Sequence, residues 1–194
     1  MLGLLSPTPD GWIDAALSNL DAVLLDHLHC ELKAASNATA LVARYPMFPT
    51  LVRSLSELAR EELSHVQQVF DELERRGVRA HPPGEDPYAL ALRRATQGDT
   101  PRAEHGALLD RLAIGALIEA RSCERFKLLE QHAPTEALRS WYGELFVCEA
   151  RHYRLFASLA EDAVGEELAR KRIAQLAARE AAIVERLPLE PRVH

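Results

Sequence analysis

Two Glu-x-x-His motifs, each preceded by a single Glu, are the residues of this sequence best suited to chemistry. The single Glu lies 31 residues before its motif in the first half of the chain and 30 residues before it in the second. Carboxylates and imidazoles in this arrangement hold two iron or manganese ions in a four-helix bundle. The predicted metal ligands are Glu31, Glu62, His65, Glu119, Glu149 and His152.

Each predicted ligand falls on an apolar helical face. Steps of three and four residues through each Glu trace four stripes, and their other positions are almost all apolar or small. The stripe around Glu31, for example, contains Leu24, Leu28, Ala35, Ala38 and Val42. An ionised carboxylate in such a face is costly unless it is paired or binds a cation. Surface glutamates and hydrogen-bonded core histidines would explain single positions, but they explain all six together poorly.

Three glutamates compete for the ligand position on the third long helix. The stripe through Glu124 contains Arg121 and Gln131, which indicates a solvated face. Glu130 lies too near the predicted helix end to match the depth of the other ligands. Glu119 keeps the same hairpin spacing as the first half, so it is the predicted ligand.

Small residues lie about one turn from two of the predicted ligands. Ala35 follows Glu31, and Gly115 and Ser122 flank Glu119. They would either leave room for dioxygen or a substrate, or let two helices pack closely, and the sequence leaves both open.

The sequence offers candidates, but no single choice, for the hydrogen-bond partners of the ligand histidines and for a redox-active side chain. A histidine that binds a metal usually donates a hydrogen bond from its second ring nitrogen to another group. Glu61 and Asp26 are candidate acceptors. Tyr142 lies two turns before Glu149 on the same stripe. It is either a core aromatic, the commoner case, or a redox-active tyrosine.

Periodicity and punctuation predict helices and no strand. We expect a short helix ending near residue 17, four long helices over residues 19–44, 48–76, 100–132 and 135–163, and a last helix ending near 187. Residues 77–100 form a long crossover with a short helix at 87–95. Two short-loop hairpins joined by a long crossover are typical of the ferritin-like arrangement. The prediction is therefore an all-α, ferritin-like four-helix bundle with extra terminal helices, in a single domain of residues 1–194.

Charge and cysteine content restrict the setting of the protein. The net charge is −6, so the chain as a whole does not attract nucleic acid. The three cysteines show no pairing pattern, which favours a reducing cytoplasm. The N-terminus lacks the features of a signal peptide, and the longest apolar run is too short to span a membrane. We expect a cytoplasmic protein with no membrane partner.

Several segments resemble the MiaE-type tRNA hydroxylases, in order and over nearly the whole chain. They comprise residues 29–36, 44–46, 61–65, 118–126 and 149–152. The stretch 118–126 is the most specific, since generic ferritin-like proteins lack it. The family's six ligands fall on the six residues already named.

This resemblance implies a non-haem di-iron monooxygenase. The implied reaction uses dioxygen to hydroxylate the isopentenyl group of 2-methylthio-isopentenyladenosine beside the anticodon of tRNA. No flavin or nicotinamide site is recognisable in the sequence, so an external electron donor, a reductase or a ferredoxin, is implied as well.

A tRNA substrate requires a local basic surface on this acidic chain. The crossover region is the best candidate, because it is rich in arginine and contains Tyr88, which could stack on a base. The predicted tRNA contacts are Arg75, Arg76, Arg79, Arg93, Arg94 and Arg102.

Two other functions use the same ligands without tRNA. One is a ferritin-like oxidase or peroxidase of the rubrerythrin type, although the sequence lacks a Cys-x-x-Cys electron-transfer motif. The other is a non-catalytic iron-binding protein, which would store iron only in a cage-forming assembly.

Overall fold

The computed structural model describes residues 2–194 and contains among them seven helices and no strand. This confirms the predicted all-α class. The helices are α1 (Trp12–Ser18), α2 (Leu20–Arg44), α3 (Pro49–Arg75), α4 (Pro87–Ala95), α5 (Gly106–His132), α6 (Glu136–Val164) and α7 (Glu166–Val184).

Capping residues set most helix ends close to their predicted positions. The side chains of Asn19, Asp86 and Thr135 accept hydrogen bonds from the first turns of α2, α4 and α6, at 3.1, 2.9 and 3.3 Å. Gly77 ends α3 with φ of +71°, and its N–H donates to the carbonyl of Glu74 at 2.9 Å. These local signals are readable from sequence, so the helix boundaries followed from them.

The start of α5 was predicted wrongly. We expected this helix from residue 100, but it begins at Gly106. His105, the residue before it, adopts φ of +64°, which is outside the helical region. A Cβ at position 106 would lie 2.1 Å from the carbonyl oxygen of Pro101. The segment before Gly106 therefore turns tightly against the helix start, and only glycine fits there.

Contacts divide the chain into two compact units. The hairpin unit comprises residues 18–85 and 190–193, and the five-helix unit comprises residues 2–17, 86–189 and 194. The predicted single domain stays a prediction. Among residues 2–194, no helix combines the length and apolar character needed to cross a membrane.

In the hairpin unit, α2 packs along α3. Apart from the partly buried Val42, the apolar positions of these two stripes lie in this unit's core, with exposed fractions of 5% or less. They are Leu24, Leu28, Ala35, Ala38, Leu51, Leu55, Leu58 and Val69. The stripes therefore place their carboxylates on buried helix faces, as predicted.

In the five-helix unit, α5 is the central element. It packs against α6, α7 and α4, and 18 of its residues are buried. A helix with this many buried positions needs apolar or well-paired residues on most of its surface. The stripe through Glu119 predicted one buried face of α5. More of this helix is buried, because it packs against three other helices.

Gly115 of α5 serves close helix packing. A Cβ at this position would lie 2.9 Å from two ring carbons of Phe156 on α6, whose own exposure is 2%. Between the two alternatives that the sequence left open for Gly115, this contact favours packing over an empty space for dioxygen.

We expect Gly115→Ala to destabilise the protein by about 1–3 kcal/mol, because the buried Phe156 ring must shift. The matched control is Gly143→Ala in α6, where the atoms nearest to the added Cβ belong to the partly exposed side chain of Glu130, at 3.2 Å and beyond. Helix propensity should make this control neutral or stabilising. Free energies of unfolding from denaturant titration distinguish the two variants. Equal stability of both would contradict the packing role.

Candidate metal centre

The hairpin unit brings three predicted ligands together. One ligand atom each of Glu31, Glu62 and His65 lies within 4.8 Å of the others. His65 Nδ1 lies 3.3 Å from Glu62 Oε2 and 3.7 Å from Glu31 Oε2. The three residues are 4%, 0% and 4% exposed. The lone Glu of α2 and the Glu-x-x-His motif of α3 thus form one buried triad, which we call the hairpin triad.

His27 is a functional candidate that the sequence analysis missed. Its Nε2 lies 2.6 Å from Glu31 Oε1, and its side chain is fully buried. With the carboxylate as acceptor, the imidazole donates this hydrogen bond. Burial alone would raise the pKa of Glu31, but the hydrogen bonds from His27 and His65 outweigh it and hold that pKa well below its usual range. The signal was available, because His27 lies one helical turn before Glu31.

The two predicted second partners of the ligand histidines differ in position. An oxygen of Glu61 lies within 4.8 Å of a ring nitrogen of His65, which keeps Glu61 as a candidate. The Asp26 carboxylate instead accepts hydrogen bonds from the N–H of Val193 at 2.7 Å and the thiol of Cys30 at 3.7 Å. Asp26 thus connects α2 to the segment that contains Val193.

The five-helix unit brings the other three predicted ligands together. Glu119 of α5 and the motif Glu149 and His152 of α6 are 5%, 2% and 2% exposed. His152 Nδ1 lies 3.9 Å from Glu149 Oε2, and ligand atoms of Glu119 and His152 lie within 4.8 Å of each other. These residues form the second triad, which we call the α5–α6 triad. It repeats the composition of the hairpin triad: two carboxylates and one imidazole.

The donor set fits a hard or borderline metal cation. Each triad holds two carboxylates on buried helix faces, where ionised groups require a compensating charge. Carboxylate oxygens and imidazole nitrogens without thiolate favour iron or manganese over softer metals. The residues present are therefore compatible with the metal type predicted from the sequence.

Glu124 does not lie on a solvated face, and that prediction was wrong. Glu124 is 8% exposed, and Arg121 is fully buried. The Arg121 guanidinium donates to Glu124, and to both carboxylate oxygens of Glu180 on α7 at 2.9 and 3.0 Å. The hydroxyl and N–H of Thr8 also donate to Glu124, at 2.6 and 2.9 Å. Glu124 therefore belongs to a buried ion-pair network that attaches the N-terminal segment to α5.

Two further residues of the α5 and α6 stripes have structural contacts. Tyr142 is fully buried, and its ring packs against Phe126 and Trp141 with centroids 5.4 and 5.1 Å apart. These contacts favour the core-aromatic alternative for Tyr142. Ser122 Oγ lies 2.8 Å from Nε2 of His194. Ser122 is thus within hydrogen-bonding distance of the His194 ring.

The predicted tRNA-binding arginines are all exposed or partly exposed, but they do not share one unit. Arg75, Arg76 and Arg79 lie in the hairpin unit, and Arg93, Arg94 and Arg102 lie in the five-helix unit. Two of them already have carboxylate partners. Arg75 pairs with Glu72 and Arg76 with Asp21, each at 2.6 Å. Arg75 and Arg76 are therefore the weaker candidates for phosphate contacts, and Arg79, Arg93, Arg94 and Arg102 remain exposed candidates.

Tyr88 cannot stack on a base, so that expectation was wrong. Its side chain is fully buried, its hydroxyl donates to Glu180 at 3.1 Å, and its ring stacks on His194 at 5.0 Å. Burial and the neighbouring Glu180 raise the pKa of Tyr88 well above its usual value. Tyr88 instead anchors α4 to the five-helix unit.

The chain is similar to known proteins over most of its length. The family model described as tRNA-(MS[2]IO[6]A)-hydroxylase (MiaE) matches residues 2–194. A Pseudomonas putida protein named tRNA 2-(methylsulfanyl)-N(6)-isopentenyladenosine(37) hydroxylase is 46% identical over 156 residues, covering 80% of this chain and 74% of its own. A Salmonella typhimurium protein of the same name is 32% identical over 213 residues, covering 84% and 76%.

A solved structure supports the fold over almost the whole chain. It is that of a Synechococcus protein, named protein 43 with aldehyde deformylating oxygenase activity, and it is 38% identical to this chain. The TM-score is 0.90, and the match covers 98% of this chain and 94% of the other. The likeness confirms the predicted ferritin-like fold.

Proposed function

This chain belongs to the MiaE family of tRNA hydroxylases, and we propose that it hydroxylates the isopentenyl group of 2-(methylsulfanyl)-N6-isopentenyladenosine next to the anticodon in tRNA. The observation that carries the proposal is the pair of buried triads. Each has the same composition, and each lies on the helices where the sequence predicted it. The family match over residues 2–194 supports the substrate.

We propose that the six triad residues together hold two iron ions. Four ionised carboxylates carry a charge of about −4, which two divalent cations would neutralise, while the two imidazoles bind as neutral ligands. When bound, the two irons would supply two-electron chemistry on dioxygen. The same residues without metal would leave buried charges that few cores tolerate.

The reaction requires an electron supply from outside the chain. One oxygen atom of dioxygen enters a C–H bond of the isopentenyl group. The other leaves as water with two electrons and two protons. We propose that a reductase or a ferredoxin supplies the electrons, and that the enzyme works in the cytoplasm as a single domain.

The protein's own residues would fix and shield the reacting centre. His27 holds the Glu31 carboxylate in one orientation through its 2.6 Å hydrogen bond. Around Glu119, the fully buried side chains of Leu112, Ala116 and Cys123 exclude water from α5. Exclusion of water strengthens electrostatic interactions within the site and limits side reactions. The roles we assign are thus orientation by His27 and shielding by the apolar residues of α5.

The comparisons bear differently on the rival functions. The family model and both curated relatives carry tRNA hydroxylase names, which disfavours a rubrerythrin-like oxidase or an iron store. The name of the Synechococcus protein includes an aldehyde activity. Because that protein is 38% identical over nearly the whole chain, an aldehyde is the second candidate substrate.

The direct test is nucleoside analysis of tRNA from cells with and without the gene. We expect loss of the gene to remove the hydroxylated nucleoside and to accumulate its isopentenyl precursor. Restoring the wild-type gene should reverse this change, whereas a Glu62→Ala copy should not. An unchanged nucleoside profile would refute the tRNA function. The purified, iron-loaded protein should then be assayed with an aldehyde, where turnover would favour the second candidate.

A further inference from the structure

A pocket of about 370 Å³ lies in the hairpin unit, on the side of α2 that carries His29. Its walls come from α2, from residues 81–85 that follow α3, and from residues 190–192. Its size is near the lower end of the range for small-molecule sites, about 300–1,000 Å³. None of the six triad residues lines it.

Hydrogen bonds connect the walls of this pocket. The Val193 N–H donates to Asp26 on α2 at 2.7 Å, and the Arg192 guanidinium donates to the carbonyl oxygen of Glu85 at 2.9 Å. Arg192 also pairs with Glu190 at 3.1 Å. These contacts hold three separate segments around one space, so the pocket is built rather than accidental. Three of its charged side chains make internal contacts, which directs attention to its histidines and prolines.

His29 is the side chain in this pocket that most clearly lacks an internal role. It is 8% exposed, and neither ring nitrogen has a partner at hydrogen-bonding geometry, although the backbone of His81 approaches the ring. A buried imidazole with its donor and acceptor unused is costly. It points to a ligand that supplies both partners.

A metal ion is a poor match for this place. The rings of His29 and His81 have centroids 6.1 Å apart. Among residues 2–194, these two histidines do not join any third His, Cys, Asp or Glu at metal-binding distance. Two imidazoles alone rarely make a specific metal site.

We propose that this pocket binds a nucleobase of the tRNA substrate. An imidazole offers one donor and one acceptor, and the edge of a base presents the complementary pair. The ring of His81 and the flat faces of Pro83 and Pro191 line the same space and suit a planar heterocycle. Lys33, also in the lining, provides a cation for an adjacent phosphate. The inference rests on the proposed tRNA function, because that function supplies unstacked bases.

The test measures binding of the four ribonucleosides, and of ribose 5-phosphate, to the full chain by titration calorimetry or ligand-observed NMR. We expect at least one nucleoside to bind and ribose 5-phosphate to bind much more weakly. His29→Phe keeps a flat ring but removes both hydrogen-bonding atoms, and it should weaken nucleoside binding about tenfold or more. His132→Phe, at the exposed end of α5, is the matched control and should bind as the wild type does.

Three results would overturn the proposal. They are the absence of nucleoside binding, equal affinity of His29→Phe and wild type, and tighter binding of ribose 5-phosphate than of every nucleoside. Should His29→Phe fail to fold by circular dichroism, the exposed His81→Ala takes its place. We expect it to weaken nucleoside binding about threefold or more, because the stacking surface is lost. Unchanged affinity in His81→Ala would then count against the site.

The experiment also separates this inference from the function on which it rests. Iron content is measured for each variant, because His29 lies two residues from Glu31. His29→Phe with normal iron should show a raised KM for tRNA. If the wild type hydroxylates tRNA and His29→Phe has an unchanged KM, the pocket inference fails and the function stands. If nucleosides bind through His29 but the wild type never hydroxylates tRNA, the function fails and the pocket stands.

Discussion

Glu62→Ala is expected to remove most bound iron, with an affinity loss of at least about 100-fold, while the helices remain folded. Glu62 is fully buried, and its carboxylate lies 3.3 Å from the imidazole of His65. Alanine is compatible with the interior of α3, so the loss falls on the metal rather than on the helix. Elemental analysis after iron loading, with circular dichroism on the same sample, measures both quantities.

The matched control is Glu57→Ala, an exposed glutamate on the same helix. It removes an equal charge from α3 without touching the hairpin triad, so its iron content should equal that of the wild type. Full iron occupancy in Glu62→Ala would show that the hairpin triad is not the metal site. Loss of iron in both variants would instead indicate a general effect of charge or folding.

The same comparison can be made on α5 with two nearby glutamates. Glu119→Ala should lose iron, because Glu119 lies in the α5–α6 triad. Glu124→Ala should keep its iron, but its free energy of unfolding should fall by about 3 kcal/mol, because Arg121 loses one of its buried carboxylate partners. The reverse pattern would assign the ligand role to Glu124.

The helices and their apolar faces could be predicted because the signals are local. Asn19, Pro49 and Thr135 mark helix starts through their own side chains or rings. The stripes of α2 and α3 are buried as three- and four-residue periodicity predicts. The start of α5 was missed, because the turn before it depends on the positive φ of His105 and on crowding at Gly106.

The environment of individual polar residues could not be read locally. In the sequence, Arg121 and Glu124 resemble a solvated face. Their buried partners are distant in the chain: Glu180 lies 59 residues from Arg121, and Thr8 lies 116 residues from Glu124. In the same way, the sequence suggests that Tyr88 is available for stacking, but its hydroxyl donates a hydrogen bond to the same Glu180. Single-sequence periodicity counts a charged residue as surface, whereas tertiary partners can offset the cost of its burial. His27 differs, because its position one turn from Glu31 was visible in the sequence.

The double variant Arg93→Glu and Arg94→Glu is expected to weaken tRNA binding strongly, because both side chains are exposed at the last turn of α4 on an otherwise acidic chain. If each arginine contacts one phosphate, the slope of log affinity against log salt should fall by about two. The fully buried Tyr88 and Leu92 anchor α4, so the helix should keep its place. The measurement is tRNA affinity at several salt concentrations.

A charge-matched control separates a local contact from the general field of the protein. Arg111→Glu with Arg186→Glu changes the net charge equally at exposed positions outside residues 75–102. Because it leaves every arginine of residues 75–102 in place, this control should lower affinity only slightly and leave the salt slope almost unchanged. Dioxygen consumption without tRNA should persist in both variants, because neither touches a triad. An unchanged slope in the Arg93 and Arg94 variant would place the phosphate contacts elsewhere. Equal losses in both variants would show that net charge, rather than these two arginines, attracts the tRNA.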